Sequence, residues 1–188
     1  MIQKLDAQAL TELYEREMKG TFPRAELKPL KAMLRMQAEG KYDVLGYYDE
    51  QGEQLAYACV CKAAEPVLMD YLAVTAAHRG EGIGSKFLSA LMNARDLYPS
   101  IMLEIEAVDD AQDEDDHATR SRRQHFYERL GFVRTTTEAH VFGEHYWVLD
   151  NQADRPAHSV CDALTDIYHY MVPEDDAFAK NVRIWDEV

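Results

Sequence analysis

Between Val67 and Arg95 the chain reads VLMDYLAVTAAHRGEGIGSKFLSALMNAR, and its most chemical stretch is Arg79-Gly80-Glu81-Gly82-Ile83-Gly84. Glycines at alternate positions clear side chains from one short connection, so backbone N–H groups can approach a ligand and positive φ costs little. A helix predicted to open at about Gly84 aims its unsatisfied N–H groups and the positive end of its dipole at the same spot. Such a loop holds an anion, most naturally a phosphate. A second group of residues is acidic. Glu104 and Glu106 stand two apart in the otherwise apolar run Ile101–Val108, and so share one face of a predicted strand. Like charges so placed push one pKa up, which suits a general base for an ammonium substrate. The alternative is an ion-pair cluster with Lys86, Arg122 or Arg123. Asp70 repeats the oddity inside the apolar run Val67–Val74. Alternation sets it on one face with Leu72 and Val74, and a buried carboxylate is costly unless paired. It is either a base or the structural partner of an arginine.

Spacing narrows the phosphate ligand. From Gly80 a P-loop would need Gly-Lys-Ser/Thr where the chain has Ser85-Lys86-Phe87. A dinucleotide fingerprint needs G-x-G-x-x-G, whereas Gly80, Gly82 and Gly84 are spaced G-x-G-x-G. The run Arg79–Gly84, following a strand that ends in Leu72-Ala73-Val74, resembles the Q/R-x-x-G-x-G/A loop of the GNAT superfamily of acyl-CoA N-acyltransferases. A second resemblance is HFYERLGF at residues 125–132. The order DYLAV, HRGEGIGSKFL, LEIE, acidic run, RRQHFYERLGF is similar to a bacterial subgroup of that superfamily.

The resemblance covers roughly residues 1–150 and implies an α/β fold. Its curved mixed sheet would have about six to seven strands, helices on both faces and a splay between the fourth and fifth strands for pantetheine. Leu72, Ala73 and Val74 would bond pantetheine in strand-like fashion. Arg79, Gly80, Glu81, Gly82, Ile83, Gly84 and Ser85 would hold the pyrophosphate. Tyr127 would reach the coenzyme sulfur and protonate the leaving thiolate, as a phenol with pKa about 10 can do for a thiol of about 8.5; the alternative is packing, which is the expectation for Phe126 and Leu130. Phe22, Pro23 and Glu26 would contact the acceptor, although packing at a helix junction explains Phe22 and Pro23 equally well. Acetyl-CoA is then the co-substrate, with no metal. The amine, deprotonated by Asp70, Glu104 or Glu106, attacks the acetyl carbonyl directly, and no cysteine sits in a nucleophile motif. Acids set inside strands favour a small cationic amine over a protein N-terminus or lysine. A non-catalytic acyl-CoA sensor is the other reading. Many members of the superfamily place an asparagine soon after this strand; this chain has a longer insertion and none there, so that role is not carried over.

The elements that must position these groups read as follows. Ile2–Leu5 is a short strand. Asp6 caps a helix from about Ala7 to Lys19, ended by Gly20. Pro29 opens a second helix, which stops at Gly40. Strands at Tyr42–Tyr48 and Gln54–Lys62 flank the turn Asp49-Glu50-Gln51-Gly52. The helix after the glycine loop carries Phe87, Leu88, Leu91 and Met92, and a further helix spans Thr119–Leu130. Asp109–Asp116 lacks the spacing of a calcium loop; it is a solvated, mobile run or an electrostatic funnel for a cationic amine. Strands follow at Phe132–Phe142 and His145–Leu149. Beyond a linker at Asn151–Pro156, residues 151–188 read as a helical appendage over Ser159–Met171 plus a tail, which packs on the domain, completes the substrate site or forms a homodimer contact.

Composition sets the outer bounds. A chain of 188 residues is enough for one domain with a proper core. The net charge of −14 repels nucleic acid and anionic membrane, and no apolar run reaches the roughly 18–20 residues of a membrane span. The N-terminus lacks a signal-peptide core. Cys59, Cys61 and Cys161 form neither a disulfide framework nor a zinc motif, so the expectation is a reduced, cytoplasmic protein.

Overall fold

The structure is a computed structural model that describes residues 1–187. One sheet of eight strands has the order β1-β2-β3-β4-β5-β7-β6-β8: β1 (Ile2–Lys4), β2 (Tyr42–Tyr48), β3 (Gln54–Cys61), β4 (Val67–Val74), β5 (Ile101–Glu106), β6 (Val133–Val141), β7 (Glu144–Asp150) and β8 (Val182–Asp186). Neighbours are antiparallel except β4 and β5, which run parallel. The helices are α1 (Ala7–Leu13), α2 (Lys19–Thr21), α3 (Leu30–Ala38), α4 (Ile83–Asn93), α5 (Glu114–Glu128), α6 (Ala157–Met171) and α7 (Asp175–Asn181).

Each sheet face carries its own core. On one, Leu10 and Leu13 of α1, Met33 and Met36 of α3, and Leu164 and Ile167 of α6 pack on Tyr57, Leu68 and Val148. On the other, Phe87, Leu88 and Leu91 of α4 pack with Phe132 on Leu103 and Trp147. The Asp6 cap forms as its sequence implies, the carboxylate accepting from the Ala9 amide at 2.9 Å. Gly20 does not end that helix, which passes through a π-helical turn (Tyr14–Met18) into α2.

Two features of β4 build the site. Its pairing with β5 stops at Met69↔Leu103. Beyond that point β4 stays with β3 to Val74, while β5 stays with β7 to Glu106, so the two parallel strands splay and their facing edges lose sheet partners. The second feature is a β-bulge. Tyr71 pairs with Cys59 but Met69 pairs with Val60, which leaves Asp70 as the extra residue. A bulge puts neighbouring residues on the same side. Asp70 therefore joins Tyr71 on the face of Tyr42, while Leu72 and Val74 pack against the opposite core. This overturns the expected grouping of Asp70 with Leu72 and Val74.

Three further expectations are corrected. The sheet has eight strands, not six or seven, because Val182–Asp186 pairs with β6; the C-terminal segment is thus part strand rather than a helix with a tail. Helix α5 begins at Glu114, five residues before the expected start, with Asp113 capping the Asp116 amide at 2.8 Å. Half the acidic run is therefore not loose: Glu114, Asp115 and Asp116 occupy the first turn of α5, where the helix dipole favours negative charge.

Candidate active site

A cavity of about 1270 Å³ opens where β4 and β5 part. Asp70, Glu104, Glu106 and Tyr127 all line it, together with Phe22, Pro23 and Glu26 from the segment between α2 and α3, Leu72–Val74 and Arg79. The groups singled out for proton transfer, acceptor contact and the pantetheine edge thus converge on one space. The remaining loop residues, Gly80 through Ser85, adjoin it at the start of α4.

The loop is shaped by φ rather than by crowding. Gly80 and Gly82 have φ of +86° and +73°, and a Cβ on either would meet nothing within 4 Å. Gly82 is the N-cap of α4, whose first residue, Ile83, lies one position ahead of the expected helix start at Gly84. The helix's first internal bond runs from the Lys86 amide to the Gly82 carbonyl, at 3.2 Å, which leaves the amides of Ile83, Gly84 and Ser85 as free donors at the helix mouth. Gly84 faces the packing interface: a Cβ there would lie 3.4 Å from Val74 and 3.5 Å from Phe126, at ordinary contact distance. The Glu81 carboxylate turns toward His78, 3.5 Å away.

The three candidate bases differ sharply. Asp70 is engaged: it pairs with Lys28 Nζ at 2.7 Å and accepts a hydrogen bond from the Tyr42 hydroxyl. The structure supplies a lysine where an arginine was expected. Glu106 pairs with Arg123, one of the expected cations. Of the three, Glu104 is the one with no ion-pair partner among the described residues. Its Oε2 accepts from the Tyr168 hydroxyl at 2.7 Å, while Oε1 is buried with no hydrogen-bond partner among the described residues. Burial pushes the Glu104 carboxyl up to about 7, against the opposing pull of the Tyr168 hydrogen bond and Lys28. The like charge that adds to the rise is Asp70, not Glu106, so the reasoning from paired acids misnamed the partner.

Tyr127, on α5, packs edge-on against Phe126 and Phe132, with ring centroids 5.0 and 5.9 Å away. Burial raises its phenol pKa against the pull of Arg123, which keeps the hydroxyl protonated as a donor must be. The thiols of Cys59 and Cys61 are buried and free; burial pushes Cys61 up to about 11, the opposite of what a nucleophile needs. None of the acids of Asp109–Asp116 lines the cavity; Asp109, Asp113 and Glu114 border a separate depression with Val108 and His117.

Several residues around the site carried no readable sequence signal: Lys28, Tyr42, Tyr146 and Tyr168. Tyr168 comes closest, lying one helical turn from Leu164 on the apolar stripe of α6.

A sheet split between two parallel strands, with a glycine-capped helix mouth beside the split and titratable side chains lining it, sets the class of fold. Residues 41–134, half of the chain, match the family model described as an acetyltransferase (GNAT) domain, and the protein belongs to that family. No curated protein sequence matches significantly. Among solved structures, the fold is similar to a GNAT-family acetyltransferase structure from Bacteroides thetaiotaomicron, at 16% identity and a TM-score of 0.69 over 92% of this chain and 97% of that one. It is also similar to the ribosomal-protein-S18-alanine N-acetyltransferase of Escherichia coli, at 19% identity and a TM-score of 0.59 over 80% and 91% of the two chains. A spermidine N-acetyltransferase mutant from Vibrio cholerae gives 11% identity and a TM-score of 0.59 over the same shares, 80% and 91%. Among the described residues no helix is long and apolar enough to cross a membrane.

Proposed function

We propose that the protein transfers an acetyl group from acetyl-CoA to the primary amine of a small cationic acceptor, by direct attack and with Glu104 as general base. The observation that carries this reading is that Glu104, with no ion-pair partner among the described residues and a pKa of about 7, shares one cavity with Tyr127 and the unpaired edge of β4. A base poised near neutral pH can both accept and release its proton.

The residues present fit acetyl-CoA. The free amides of Ile83, Gly84 and Ser85 with Arg79 suit a pyrophosphate, and the open backbone edge of Leu72–Val74 suits the amides of pantetheine. When bound, acetyl-CoA supplies an acetyl group activated as a thioester. Glu104 takes a proton from the acceptor ammonium, freeing the nitrogen lone pair. As the new C–N bond forms and the C–S bond breaks, Tyr127 gives its proton to the departing sulfur, and the second proton that the nitrogen sheds to become an amide restores the phenol. Asp70 stays paired with Lys28 and sets the local field rather than moving a proton. The acceptor end is walled by Phe22–Glu26, by the Phe142–Glu144 turn and by Met171–Glu174, an enclosure that favours a small amine. Glu26 and Glu144 offer it negative charge; burial, and after it the nearby Glu144, raise the pKa of Glu26 against the pull of Arg123 and Arg120.

Calorimetric titration with acetyl-CoA followed by a thiol-release screen across polyamines, amino acids, aminoglycosides and short peptides tests this. Binding with turnover on a small amine is expected, and Tyr127→Phe is expected to lower kcat by about 10²-fold with acetyl-CoA affinity unchanged. Binding without turnover on any amine would point to a sensor, and no binding would refute the loop assignment.

A further inference from the structure

We infer that Tyr168, carried by the C-terminal helix α6, is a positioning residue for the base: it holds Glu104 by one carboxylate oxygen and thereby fixes the carboxyl group at the cavity wall and tunes its ionisation. The inference rests on the reading of Glu104 as the base and adds a device that the matched domain, which ends at residue 134, does not contain.

The geometry is specific. The Tyr168 side chain is 4% exposed and its hydroxyl donates to Glu104 Oε2 at 2.7 Å, a strong charge-assisted length. A carboxylate tethered through one oxygen cannot spin, so Oε1 keeps one direction. Burial raises the Tyr168 phenol pKa, and the adjacent Glu104 carboxylate adds to the rise, so Tyr168 remains a donor throughout the working pH range. Four charged or titratable groups face Glu104 from the elements around it: Tyr168 from α6, Lys28 from the segment before α3, Asp70 from β4 and Tyr146 from β7. Lys28 is already committed to Asp70. Among the described residues, Tyr168 is the hydrogen-bond donor to Glu104.

The sign of its effect follows. A hydrogen bond to the ionised form lowers an acid's pKa, so Tyr168 offsets part of the rise that burial imposes. Tyr168→Phe keeps the ring in the core and removes the bond. A tyrosine that merely packs would leave the titration of Glu104 where it is.

The test is a pH titration of the full chain by ¹³C NMR of labelled glutamate carboxyls, with the Glu104 signal assigned by its loss in Glu104→Gln, alongside kcat/KM against pH. In Tyr168→Phe the Glu104 midpoint is expected to rise by about one unit, a tenfold change in its ionisation constant, and the acid limb of kcat/KM to move with it. Tyr146→Phe, which removes a facing hydroxyl that makes no bond to Glu104, should leave the midpoint within about 0.3 unit, a small fraction of the tenfold effect. An unmoved midpoint in Tyr168→Phe, with the acid limb of the parent still abolished by Glu104→Gln, overturns the inference and leaves the base reading standing. A midpoint that moves while the rate profile does not overturns it differently, by removing Glu104 from the role of base.

Discussion

Glu104→Gln is expected to cost activity and add stability, with the added stability growing as pH rises. The folded protein holds the Glu104 carboxyl at about 7 against a reference value of 4.5. Between those values the folded state keeps a proton that the unfolded chain has released, so the folded state binds more protons and stability falls as pH rises through this window. The difference of 2.5 units sets a ceiling of about 3 kcal/mol, and because Glu104 partly faces the cavity the effect should fall between about 1 and 3 kcal/mol. Glutamine cannot ionise and so does not carry this penalty. Its carboxamide oxygen still accepts from Tyr168, and the cost of burying its NH₂ group is the same at every pH. The measurement is therefore a difference: urea unfolding of both proteins at pH 5, 6, 7 and 8, followed by the fluorescence of Trp147 and Trp185, with m compared to confirm two-state behaviour. Shifts of other groups, such as the raised Glu26 and the lowered Asp43, are common to both proteins and cancel. The variant's advantage should grow by about 1 to 3 kcal/mol between pH 5 and pH 8. Two parallel stability profiles would refute the argument that burial strains this carboxylate. In the same variant kcat should fall by about 10²–10⁴-fold if Glu104 is the proposed base, a trade of stability against activity.

Two further outcomes follow from the geometry. Lys28→Met leaves the Asp70 carboxylate, whose side chain is 5% exposed, with only the Tyr42 hydroxyl, and should cost about 3 kcal/mol of unfolding free energy; the cost should shrink in an Asp70→Asn background, and a loss below about 1 kcal/mol would contradict the buried-pair assignment. Gly82→Val places a β-branched residue at a φ of +73°, a strain of about 1–2 kcal/mol; the protein should stay folded by circular dichroism but lose acetyl-CoA binding by calorimetry, and retained affinity would remove the loop from coenzyme recognition.

Much of the framework could be read before the structure was known, wherever the signal is local. Tyr42–Tyr48 and Val67–Val74 occupy the expected bounds because apolar runs bounded by turn residues leave few alternatives. The Asp6 cap and the glycine loop were legible for the same reason. The start of α5 was legible too and was missed: Asp113 followed by Glu114, Asp115 and Asp116 is an N-cap with an acidic first turn, a pattern that its charge made look like a disordered run. The bulge at Asp70 was not legible, because an extra residue in one strand is defined only by the strand beside it. Nor was β8, five residues near the chain end whose strand character comes from lying along β6.

By itself, then, the amino-acid sequence determined most of the order of elements, the glycine loop ahead of α4 and the helix that carries Tyr127, because these depend on residues within a few positions of one another. Tertiary structure decided which acid is free. Lys28 reaches Asp70 across 42 positions and Tyr168 reaches Glu104 across 64, and Arg123 reaches back from α5 to Glu106 on β5. Ionisation depends on burial and on charges within a few ångströms, and both are properties of the assembled sheet and its helices. Three carboxylates that look alike in the chain therefore become an ion pair, a second ion pair and a buried carboxyl raised to about 7.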